Sequence, residues 1–123
     1  MSMVVDASAV NLDANDRWTV VCPATSLTLD RGSAAIFGDQ QIAIFRISTG
    51  GIYALENHDP FSNANVISRG IVGHTAGHLK VASPMYKQSF DLETGICLDD
   101  PSVSLRVFPI EVRDEIVYVD LTI

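Results

Sequence analysis

From Arg17 onward the chain alternates apolar or β-branched residues with polar ones, and the alternation is broken by glycine, proline and acidic turn formers. No long stretch repeats with the period of a helix face, so the pattern predicts short antiparallel strands and an all-β fold. Trp18-Thr19-Val20-Val21-Cys22 reads as a first strand stopped by Pro23, which lacks the N–H donor a central strand needs. Ala34-Ala35-Ile36-Phe37 and Gln41-Ile42-Ala43-Ile44-Phe45-Arg46 flank Gly38-Asp39-Gln40, a short turn containing a residue that accepts positive φ, and predict a hairpin. Gly50-Gly51 lets the chain reverse into Ile52-Tyr53-Ala54-Leu55, which delivers Glu56 to one loop, and Leu79-Lys80-Val81-Ala82 delivers Ser83 to another. Near the end, Val107, Pro109, Glu111 and Arg113 alternate with Phe108, Ile110, Val112 and Asp114. Ile116-Val117-Tyr118-Val119 then returns after the acidic Asp114-Glu115 turn as a closing hairpin. Strand pattern alone fits several small barrels or sandwiches.

The chain of 123 residues is long enough for one domain with a core that needs neither disulfides nor a structural metal, and a hydrophobic content of 47% argues against disorder. Residues 1–14, small and polar, are expected as a flexible tail ahead of a domain over 15–123. A net charge of −7 with eight Lys and Arg argues against a nucleic-acid surface, which depends on clustered cations. Such a chain stays soluble and can meet a basic partner face. Cys22 and Cys97 are too few for a four-thiolate site and are expected as reduced, partly buried thiols. No Lys or Arg precedes Arg17, and Met3-Val4-Val5 is broken by Asp6. Neither a secretory nor a membrane-spanning signal is expected, and the expected location is the cytoplasm.

Several residue sets invite chemical readings. His74 and His78 have the four-residue spacing that places two imidazoles on one helix face for zinc, but Gly73, Thr75, Ala76 and Gly77 make a poor helix. An exposed, flexible loop is expected instead. Gly70 to Gly77 lacks the sequence context of a dinucleotide or phosphate loop, so no NADH site is expected, and its glycines read as the hinge of a long excursion. Ser83, His58 and an Asp do not make a hydrolase triad, because Ser83-Pro84 shows no Gly-x-Ser-x-Gly elbow. Glu56 has no second carboxylate spaced for paired acid–base chemistry and is expected to be solvated or to cap its loop. His58, beside Asp59, is expected to hydrogen-bond and order the same loop.

Three ordered blocks carry a resemblance: Glu56-Asn57-His58-Asp59-Pro60-Phe61-Ser62, Ser68-Arg69-Gly70-Ile71-Val72-Gly73, and Ala82-Ser83-Pro84-Met85-Tyr86-Lys87-Gln88-Ser89-Phe90-Asp91 followed by Thr94-Gly95-Ile96-Cys97-Leu98. They are laid out like a Rieske domain, in which Cys-x-His on one loop and Cys-Pro-x-His on a second hold a two-iron cluster. Here those four positions fall on Glu56, His58, Ser83 and Tyr86. Hydroxyls are poor substitutes for thiolate and imidazole on such a cluster. From about Arg17 to Val119 the chain resembles the small-subunit family of cytoplasmic NAD(P)H-dependent nitrite reductases, Rieske-like proteins without cluster ligands.

That resemblance implies a Rieske-like antiparallel β-sandwich or barrel with an inserted two-loop segment at about 56–95. It implies no cofactor and no metal in this chain. FAD, a four-iron [4Fe–4S] cluster and sirohaem would reside on a large subunit that reduces nitrite to ammonium with electrons from NADH or NADPH. The small chain would be a non-redox partner of that large subunit, with no membrane or nucleic-acid role. Phe61, Met85, Tyr86, Lys87 and Gln88 are the candidate contact residues, because exposed apolar tips usually mean contact. Met85 and Tyr86 could equally fill the volume a cluster would occupy. A free-standing interaction module of another oxidoreductase and an atypical Rieske electron carrier are the alternatives.

Overall fold

The computed structural model describes residues 17–75 and 77–122 in full and, before them, the backbone of Val4–Asp6. The segment 1–14 expected as a tail otherwise lies outside the described residues. Its strand β1 (Val4–Asp6) runs parallel to β3 (Gly32–Phe37), with Val5 opposite Ala35. The first predicted strand is present as β2 (Trp18–Pro23). β3 and β4 (Gln40–Arg46) form the predicted hairpin, closed through Gly38 at φ 62°. β5 (Ile52–Glu56) returns beside β4. Two short strands, β6 (His58–Asp59) and β7 (Ala64–Asn65), pair across the first loop. β8 (Ile71–Thr75), β9 (His78–Ala82) and β10 (Ser89–Asp91) form a meander. β11 (Val107–Phe108) rejoins β5, and β12 (Ile110–Arg113) and β13 (Ile116–Asp120) form the closing hairpin.

The sheets order as β1-β3-β4-β5-β11, β12-β13-β2 and β10-β9-β8, with the small β6-β7 pair apart. They stack as a sandwich and do not close into a barrel, which resolves the choice the strand pattern left open. β4 explains the stacking. Ile42, Ala43, Ile44 and Phe45 are all buried, with Ile42 and Ile44 in one core and Ala43 and Phe45 in another. Because successive side chains point to opposite faces of a strand, β4 must be covered on both sides. Val21, Cys22, Val117 and Val119 of the β12-β13-β2 sheet complete the first core. Val81 and Phe90 of the meander, with Leu92, Cys97 and Leu105, complete the second.

Cys22 and Cys97 are free and buried in different cores, and burial raises the Cys22 thiol pKa. Among the described residues no helix is long and apolar enough to cross a membrane. One expectation fails at the meander. The glycines of 70–77 read as the hinge of a long excursion and His74 and His78 as part of a flexible, exposed loop; both histidines are exposed, yet Val72 pairs with Val81 and Thr75 with His78 in a hairpin turning through Gly77 at φ 81°. Gly70 is needed for packing, since a Cβ there would lie 2.5 Å from the Ala82 carbonyl oxygen.

Candidate functional site: two loops joined by a buried carboxylate

The first loop leaves β5 at Glu56, and Asn57 sets its path. Asn57 is buried; its Nδ2 donates to Gln41 Oε1 at 3.2 Å and to the Asn65 carbonyl at 3.3 Å, and its Oδ1 accepts from Ser68 N at 2.8 Å. One amide thus ties β4, the loop and the turn before β8 together. Glu56 is partly exposed, and its carboxylate secures the start of the loop. Its Oε1 accepts from the Arg106 N–H at 2.8 Å, while its own N–H donates to the Arg106 carbonyl at the same distance, fastening the loop to the start of β11. His58 Nδ1 lies 3.2 Å from Asn65 Oδ1 across the β6-β7 pair, a bond made when Nδ1 carries the proton. The expected loop-ordering role of His58 fits this geometry.

The second loop is a turn closed by Ser83 N donating to the Gln88 carbonyl at 2.9 Å, with Lys87 at φ 64°. Ser83 is buried, and its hydroxyl donates to Asp59 Oδ2 at 2.5 Å. Asp59 is fully buried and also accepts from Phe61 N at 2.9 Å and Ser62 Oγ at 3.0 Å. Burial pushes the Asp59 pKa up, but the bonds from Ser83, Phe61 and Ser62 outweigh it and hold the group below its ordinary value. Asp59 therefore stays charged and joins the two loops.

Tyr86 is the exception among the four cluster-ligand positions. It is 61% exposed and Met85 is 53% exposed, so neither side chain fills the space between the loops. Lys87 is exposed beside them. Phe61 turns inward, its ring 6.2 Å from that of Phe90, and packs on the second core. Gln88 is half-buried, with its side-chain oxygen buried and unpartnered among the described residues.

These donors do not fit a two-iron cluster. Glu56 and Ser83 are committed to Arg106 and Asp59, and neither a carboxylate nor a hydroxyl replaces a thiolate on such a cluster. His74 and His78 also separate. His78 Nδ1 lies 2.6 Å from Asp91 Oδ2, and Asp91 Oδ1 accepts from Glu93 N and Thr94 N. Burial raises the Asp91 pKa, but the bonds from His78, Thr94 and Glu93 outweigh it and lower the value overall. Sequence reasoning missed Asn57, Asp59 and Asp91 as organisers. The available signal was Asp59 followed by Ser62, and Asp91 by Thr94, both typical of carboxylates that cap a turn.

Residues 17–120 match the family of Rieske-like [2Fe-2S] domains. The chain is 36% identical over 102 residues to the nitrite reductase (NADH) small subunit of Escherichia coli K12, covering 82% of this chain and 94% of that one. The solution structure of the nitrite reductase [NAD(P)H] small subunit from Erwinia carotovora superposes with a TM-score of 0.75 at 38% identity, covering 88% of this chain and 84% of the other. A third relative, the nitrite reductase [NAD(P)H] large subunit of Klebsiella oxytoca, is 37% identical over 102 residues, which are 83% of this chain but 11% of that protein. The chain belongs to the Rieske-like family and, within it, to the small subunits of nitrite reductase.

Proposed function

We propose that this chain is a non-redox small subunit that docks on a cofactor-bearing nitrite reductase large subunit in the cytoplasm and supports six-electron reduction of nitrite to ammonium. The observation that carries the proposal is the Klebsiella relative, in which a domain of this kind occupies about a tenth of a chain named as the large subunit. A domain that is part of the large chain in one organism is naturally a bound partner of it in another. The geometry of the loops supports the non-redox part, because Glu56 and Ser83 are engaged in internal bonds and Tyr86 faces outward. FAD, [4Fe–4S] and sirohaem would then belong to the large subunit, and this chain would act by favouring the partner conformation it binds best.

The test is purification of the tagged chain from its own cells grown on nitrite. Co-elution of a large subunit with flavin and sirohaem absorption, together with a colourless small chain after separation, is the expected result. Stoichiometric iron and acid-labile sulfide in the separated small chain would refute the non-redox role. Undiminished NAD(P)H-dependent nitrite reduction by cells lacking the chain would refute the supporting role.

A further inference from the structure

The meander presents an apolar residue to which the sequence reading gave no role. Val72, Val81 and Phe90 stand opposite one another in register, with Val81 and Phe90 inside the second core and Val72 packed against it. Ile71, the next residue along β8, must therefore point to the other face. There it is 76% exposed on the outer strand of the sheet, the most exposed large apolar side chain among the described residues. The position is held firmly, because Gly70 presses so closely on β9 that a Cβ would come within 2.6 Å of Val81 Cγ2. Ile71 pairs with Ala82, and one residue beyond Ala82 the chain enters the turn that exposes Met85 and Tyr86. Single exposed apolar residues are ordinary, but Ile71 and the turn bearing Met85 and Tyr86 lie at the same end of the meander.

We propose that Ile71, with Met85 and Tyr86, is the anchoring patch through which this chain docks on the nitrite reductase large subunit. The proposal rests on the small-subunit role above and assigns its interface. Charge narrows the partner surface. The chain carries −7 overall, yet the charged residues flanking the patch in sequence, Arg69 and Lys87, are both basic and exposed. On the β10 side the exposed Asp99, whose Oδ2 accepts from Ser89 N at 2.7 Å, is the acidic exception. The large subunit should thus offer an apolar recess with an acidic rim.

The experiment measures affinity of the full chain for the purified, cofactor-loaded large subunit. Ile71→Ser should weaken binding at least tenfold while leaving the melting temperature unchanged, because the side chain is mostly in solvent. Leu29→Ser, an exposed apolar residue beside the β4–β5 turn and outside the patch, should bind as the wild type does. Lys87→Glu should weaken binding more at low than at high salt. Wild-type binding that Ile71→Ser leaves intact, or that Leu29→Ser weakens equally, overturns the patch and spares the small-subunit role. No binding by the wild-type chain overturns both.

Discussion

Asp59 shows how much one side chain can organise. It is buried with its charge satisfied by a hydroxyl from each loop and by the Phe61 N–H, so its partners divide the cost of removing it unequally. Ser83→Ala deletes one donor and should cost about 1–3 kcal/mol in urea unfolding. Asp59→Ala orphans every donor at once and should cost more than Ser83→Ala; equal midpoints for the two variants would refute the joint. The carboxyls also set an acid limit. Asp59 and Asp91 are held below their ordinary pKa by bonds that outweigh burial, and Asp120 by Thr122 and by Arg17 at 2.8 Å. A carboxyl whose folded value is depressed adds stability above its unfolded pKa, near 3.9, and loses it as pH falls through the folded value. Stability should therefore be flat from about pH 7 to pH 5 and drop below about pH 4, with a smaller drop in Ser83→Ala, followed by denaturation at stepped pH.

Among the elements, the closing hairpin carries a correctable strain. Arg113 pairs with Ile116, leaving Asp114 and Glu115 as a two-residue turn at φ 51° and 66°. Both positions favour asparagine and glycine, so Asp114→Asn with Glu115→Gly should raise stability by about 1 kcal/mol, read as a higher urea midpoint. Gly95 makes the opposite case. At φ 77°, with a Cβ that would fall 2.1 Å from the Leu105 carbonyl oxygen, Gly95→Ala should cost about 2–4 kcal/mol. The hairpins at Gly38 and Asp114 were legible in the sequence because turn chemistry and alternation agree there. The 71–82 hairpin was not, because glycines and histidines on its exposed residues masked the Val72 and Val81 pairing. Nor were the Asp59–Ser83 and His78–Asp91 bonds, which join residues 24 and 13 positions apart and depend on how separate strands converge. The assignment of Glu56, His58, Ser83 and Tyr86 to cluster-ligand positions rests on the resemblance alone, whereas the internal partners of Glu56, His58 and Ser83 required the fold.

At the scale of the whole molecule, β4 is the shared wall of both cores, so damage on one side should be felt on the other. Phe45→Ala should cost roughly 3–5 kcal/mol. Fluorescence of Trp18, which lies in the outer sheet away from Phe45, should report the same lowered midpoint as far-UV circular dichroism. Separate transitions would show two independent cores. The joint between the loops has a consequence of another kind. A carboxylate and a hydroxyl are complete the moment the polypeptide folds, so this closure waits on no iron delivery and no sulfide donor, and oxygen cannot strip it away. Under the proposed non-redox role, readiness of the domain to meet the large subunit follows from translation and folding alone.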